Sequence, residues 1–143
     1  MPARRQEGEQ MSTRSTHVKS PAQQFALVAG VIYLLIGILG FVMAPDADDK
    51  LFGVFGVNLL HNIIHLAIGA AFLGGSSTRP RAKQVNFVVG IVYGLVALLG
   101  FANLLIVDLL DLNAADNFLH LASAVLALYF GTAGAEGARP AVT

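Results

Sequence analysis

Four apolar runs, each close to the length a helix needs to cross a lipid bilayer, limit what this chain can fold into more than any other feature. The first is Phe25 to Met43. Its roughly 19 residues would rise about 28 Å as an α-helix, close to the thickness of a bilayer core. Leu51 to Gly74, Val85 to Val107 and Leu112 to about Ala133 follow it. The rest of the composition agrees. The chain is 55% hydrophobic and 13% charged, where a typical soluble domain carries about 25% charged residues. Basic residues before the first run and Ala44-Pro45-Asp46-Ala47 after it also fit a signal peptide. The apolar region of a signal peptide is usually only about 7–15 residues, so the run is read as a retained span. The predicted fold class is all-α, a bundle of four transmembrane helices over residues 21–134, with spans at about 25–43, 51–74, 85–107 and 112–133.

The segments between the runs set the orientation. Residues 1–20 form a polar basic arm predicted to be disordered, beginning at Met1 or Met11, and residues 135–143 form a short tail. Arg4, Arg5, Arg14, Lys19, Arg79, Arg81, Lys83 and Arg139 fall on one side of a four-span model, and Lys50 falls on the other. The positive-inside rule then places both termini and the middle loop in the cytoplasm, for a multi-pass protein of the plasma membrane. The partner this implies is the lipid bilayer. A formal net charge of zero gives no basic field for nucleic acid. With no cysteine, disulfides, thiolate metal sites and cysteine nucleophiles are excluded.

The two halves resemble each other. Gln24, Val28, Gly30, Tyr33, Leu35, Leu39, Gly40 and Phe41 recur at one constant offset as Gln84, Val88, Gly90, Tyr93, Leu95, Leu99, Gly100 and Phe101. Asn58-x-x-His61-Asn62-x-x-His65-Leu66 returns as Asn113-x-x-Asp116-Asn117-x-x-His120-Leu121 at a smaller offset, so the outer loop of the second half is shorter. The pattern predicts two tandem duplicated helical hairpins inserted the same way up, related by a pseudo-two-fold axis along the membrane normal. Gly30, Gly37 and Gly40, with Gly90, Ala97 and Gly100, are small residues that let helices pack closely.

Asn58, His61, Asn62 and His65 share one helical face, as do Asn113, Asp116, Asn117 and His120, because their spacing is i, i+3, i+4, i+7. Polar side chains in spans turn inward, so the two faces predict a polar intramembrane seam, with Tyr33 and Tyr93 at the same depth. In the symmetric arrangement His61 pairs with Asp116, His65 faces His120, and the tyrosine hydroxyls bond the central histidines. Two readings stay open. In the first, the seam is an interhelical hydrogen-bond network that fixes register, at about 0.6 kcal/mol per bond on average, in a structural or accessory envelope protein that needs no cofactor. In the second, the seam is a site. His61, His65, Asp116 and His120 would hold zinc or a similar ion, His65 and His120 would hold a haem, or the His/Asp ladder would carry protons or ions. Gly-x-Ser-x-Gly, His-Glu-x-x-His and Walker motifs are absent, so no catalytic residue is assigned.

The paired Asn/His motifs, with Gly30-x-x-Tyr33 ahead of them, resemble a bacterial membrane family catalogued as domain of unknown function 4383, common in actinobacteria. The resemblance covers about Pro21 to Gly131. It implies a four-span protein of the cell envelope and carries no catalytic residues with it.

Overall fold

The computed structural model describes residues 18–45 and 49–132. The basic arm up to residue 17, the tail from residue 133, and residues 46–48 of the first acidic loop lie outside the described residues. The described chain is mostly helical. It runs α1 (Pro21–Met43), β1 (Lys50–Leu51), β2 (Phe55–Gly56), α2 (Leu59–Gly75), α3 (Arg79–Phe101), α4 (Ile106–Leu110) and α5 (Ala114–Gly131).

Local chemistry accounts for the helix starts. Ser20 caps α1: its hydroxyl accepts the Gln23 N–H, the Gln23 side chain accepts the Ser20 N–H at 3.1 Å, and Pro21 opens the first turn. This is a capping box, with proline where a missing N–H costs nothing. In α3, Pro80 takes the same role, so the helix begins at Arg79, inside the stretch read as a basic loop. It also ends earlier than expected, at Phe101, and the chain turns through Asn103 (φ 52°) into the short α4.

The expected second span, 51–74, is not one helix. Phe52 (φ 57°) and Gly53 (φ 71°) turn the chain back on itself, and Lys50 pairs with Gly56 and Leu51 with Phe55 in an antiparallel hairpin. The helix begins only after Asn58. As a result α2 and α5, with 17 and 18 residues, are about 26 Å long, while α1 and α3, each with 23 residues, are about 34 Å. Among the described residues, α1 and α3 are the two helices long and apolar enough to cross a membrane. The hairpin and α4 occupy the ends that the shorter helices leave uncovered.

The helices pack mainly as two pairs, α1 with α2 and α3 with α5. Small residues set both contacts. A Cβ on Gly30 would lie 3.0 Å from the Gly69 carbonyl oxygen, and one on Gly69 would lie 3.0 Å from that of Gly30, so the α1 and α2 backbones touch. A Cβ on Gly40 would collide with the Asn62 side-chain amide, and one on Gly100 with that of Asn117. Ala22, Ala26 and Ala29 of α1 and Ala82, Val89 and Tyr93 of α3 then close the interface between the pairs. Several polar side chains lie inside and many large apolar ones outside. Asn62, Asn86, Asp116 and Asn117 are buried, whereas Val42, Leu59, Leu98, Phe118 and Val125 are exposed.

Candidate functional site: a buried histidine cluster

The two asparagines that open the repeated motif are helix caps. The Asn58 side chain accepts the His61 N–H at 2.9 Å. The Asn113 side chain accepts the N–H groups of Ala115 and Asp116, and the Asp116 carboxylate accepts the Asn113 N–H, which makes a capping box. Each cap also reaches into the other half. Asn58 Nδ2 donates to the Leu109 carbonyl at 3.0 Å, and Asn113 Nδ2 donates to the Val54 carbonyl at 2.8 Å. These residues therefore sit at the end of the bundle and hold the hairpin and α4 in place.

Asp116 does not pair with His61. Its Oδ2 accepts backbone N–H groups from Gly56 at 3.0 Å and Asn113 at 2.9 Å, which ties the hairpin to α5. The expected symmetric partnership fails because the hairpin enters the second half and takes the carboxylate first. Asn62 and Asn117 pack on Gly40 and Gly100, and the Oδ1 of each lacks a hydrogen-bond partner.

His61, His65 and His120 come together. One ring nitrogen from each lies within 4.8 Å of those from the others, and the residues are 2%, 7% and 4% exposed. His61 lies with ring centroids 4.4 Å from His65 and 5.7 Å from His120. Both ring nitrogens of His61, and the Nδ1 of His65 and of His120, are buried without a hydrogen-bond partner. The carbonyls of Gly56 and Leu110 face the His61 ring without closing a well-shaped bond. An unpartnered buried polar atom typically costs about 1–3 kcal/mol, so a cluster of four such atoms is costly unless something binds there.

The two tyrosines pack on this cluster by their rings. The Tyr33 centroid is 5.6 Å from that of His65, and the Tyr93 centroid is 4.9 Å from that of His120. Their hydroxyls lie near each other, and Ser123 lies near that of Tyr33. Ser123 was not among the expected site residues. Asn86 is a second such residue. It is fully buried and donates from Nδ2 to the Ala22 carbonyl at 3.1 Å across the interface between the pairs.

Two cavities flank the histidines. The larger, about 380 Å³, lies between α1 and α5 under the hairpin, and His65, His120, Asp116, Tyr33 and Ser123 are on its wall. The smaller, about 150 Å³, lies between α2 and α3 beside α4, and His61 and His120 line it. His120 reaches both.

Fold and site together define a mostly helical protein that has, among the described residues, two helices long and apolar enough to span a membrane and a buried cluster of three histidines. The chain belongs to the family described as Domain of unknown function (DUF4383), whose model matches residues 23–133. No curated protein and no solved structure matches it.

Proposed function

We propose that the protein is a four-span membrane protein of the cell envelope that binds one first-row transition-metal ion at His61, His65 and His120. The observation that carries this reading is the convergence of three buried histidines, four of whose ring nitrogens have no hydrogen-bond partner. Three neutral imidazoles with one open position suit zinc, and imidazole also suits copper, nickel and iron. Ligating histidines characteristically donate their second N–H to a backbone carbonyl, and the Gly56 and Leu110 carbonyls beside His61 are placed for that. Asp116, on the wall of the larger cavity one helical turn from His120, adds a nearby carboxyl group. It lies outside the cluster, so the fourth ligand is not a protein side chain of the expected set. An ion fits this site better than a haem. A macrocycle between His65 and His120 would need the space taken by the rings of His61 and Tyr93.

In the same reading the remaining seam residues are structural. Asn58 and Asn113 cap helices, and Asn62 and Asn117 pack on glycines. Reciprocal capping and the paired Gly–Asn contacts support two like hairpins facing each other. Apolar side chains outside and polar ones inside support four spans, with α2 and α5 completed by the hairpin and α4. Lysine and arginine placement supports a plasma-membrane orientation with both termini cytoplasmic.

The test is titration of the purified protein with cobalt(II) in mild detergent, followed by its visible absorption, alongside elemental analysis. One ion per chain is expected. His65→Gln and His120→Gln should each weaken binding by about tenfold or more, while Tyr33→Phe retains it. Absence of stoichiometric binding, or cobalt affinity unchanged by His65→Gln, would overturn the metal reading.

A further inference from the structure

We infer that the larger cavity is a binding site for a lipid-soluble, uncharged ring bearing carbonyl oxygens, a quinone-type molecule that enters sideways between α1 and α5. The inference shares the membrane placement proposed above and does not depend on the ion. Its first support is where the cavity opens. Val28, Ile32 and Leu126 line it and are 57%, 48% and 51% exposed, so its rim is apolar and faces the surroundings of the bundle. At about 380 Å³ it falls within the size range of small-molecule sites.

The second support is where the polar groups lie. Along α1 the wall runs from Phe25 to Ile36, and Tyr33 interrupts it. Along α5 it runs from Asp116 to Ala127, with His120 and Ser123 between. Tyr33, His120 and Ser123 therefore lie part-way along an apolar slot that has Asp116 at one end. A phospholipid keeps its charged head at the membrane surface and presents only acyl chain at that depth. A molecule with small neutral oxygens on an apolar body matches the slot. The flanking Phe25, Phe72 and Tyr33 rings lie with centroids about 6 Å apart (6.0 Å for Phe25–Phe72 and 5.8 Å for Tyr33–Phe72) and favour a flat aromatic partner. A carbonyl oxygen would be recognised by an imidazole N–H of His65 or His120, or by an ion those residues hold. Both are electron-pair acceptors, so the ligand class is the same in either state.

The third support is a contrast. The corresponding opening between α2 and α3 holds only about 150 Å³, with Ile106 and Leu110 at its wall. On one side of the histidine cluster α4 leaves little room, and on the other, beneath the hairpin, the space is more than twice as large.

The experiment uses the full chain in lipid nanodiscs, with empty nanodiscs as the partition reference. The probes are 2-methyl-1,4-naphthoquinone and 2-methylnaphthalene, which has the same ring without the oxygens. Saturable binding of one quinone per chain is expected, about tenfold or more tighter than the hydrocarbon, because a site with buried hydrogen-bonding groups discriminates against an analogue that leaves them unpaired. Val28→Trp, at the exposed rim, should block it, while Val92→Trp, beside the smaller cavity, should not. Equal affinity for the two probes would mean a nonspecific apolar slot and would overturn the inference. So would an unchanged affinity in Val28→Trp, or uptake no greater than that of empty nanodiscs. Cobalt titration of the same samples separates the two proposals. Quinone binding without cobalt binding removes only the ion, and cobalt binding without quinone binding removes only the ring site.

Discussion

Replacing Gly40 with alanine tests the packing logic at one atom. In a helix the change from glycine to alanine ordinarily stabilises by about 0.8–1.0 kcal/mol. At Gly40 the added carbon would sit 2.5 Å from Asn62 Cγ and 2.8 Å from Asn62 Nδ2. Asn62 is 2% exposed, so its amide has nowhere to swing. Overpacking of this kind costs about 1–3 kcal/mol. Gly74 is the control. It lies at the same kind of position, near the end of α2, and a Cβ there meets nothing within 4 Å. Both substitutions share the helix-propensity gain, so their difference isolates the collision, and Gly40→Ala should be less stable than Gly74→Ala by about 1–3 kcal/mol. In an Asn62→Ala background the difference should collapse, because the colliding amide is gone. Gly100→Ala with Asn117→Ala should repeat the result in the other half. Reversible unfolding in mixed micelles measures all of these free energies. If Gly40→Ala is as stable as Gly74→Ala, or loses as much without the Asn62 amide as with it, the close approach of α1 and α2 is wrong.

Three further outcomes follow from the site. Asp116→Ala should destabilise by about 1–3 kcal/mol for each of the two N–H groups it leaves unpaired, while Asp116→Asn, which keeps an accepting oxygen, should recover most of that loss in the same unfolding assay. Tyr33→Phe and Ser123→Ala each remove one member of a shared hydroxyl network, so the double variant should lose clearly less than the sum of the singles; additive losses would place the two hydroxyls out of contact. Because the chain has no cysteine of its own, Asp48→Cys should label from outside intact cells and Thr78→Cys only after permeabilisation, and labelling of position 78 in intact cells would reverse the orientation.

The sequence was most legible where one physical rule acts alone. Length and apolarity located the end of α1 at Met43 but missed its first four residues, and the repeated i, i+3, i+4, i+7 spacing brought out the histidines that converge. It was least legible where two rules compete. Leu51 to Val57 is as apolar as the helix after it, so hydropathy merges them. The markers of the break are Gly53, Gly56 and the capping Asn58, and they are punctuation that a hydropathy window averages away. Pro80 marked the start of α3 in the same way and was masked by the charges around it. Asn86 left no repeat to notice, because the α1 residue at the same phase is Ala26. The Asp116–His61 pairing failed for a different reason. Symmetry specifies which residues are level, but the hairpin breaks the symmetry, and only coordinates show that Gly56 N–H reaches the carboxylate first.

The crossed caps have a consequence for how the protein is made. Each half holds part of what the other needs at one end of the bundle: Asn58 is completed by the Leu109 carbonyl, Asn113 by the Val54 carbonyl, and the Gly56 N–H by Asp116. During synthesis the first half emerges while every one of those partners in the second is still to be translated. That edge of the early half must therefore wait, with its caps incomplete, until the later half arrives to close it. Two separately expressed halves would meet the same need in each other, so the chain could be cut in the 76–78 connection and still assemble from its fragments.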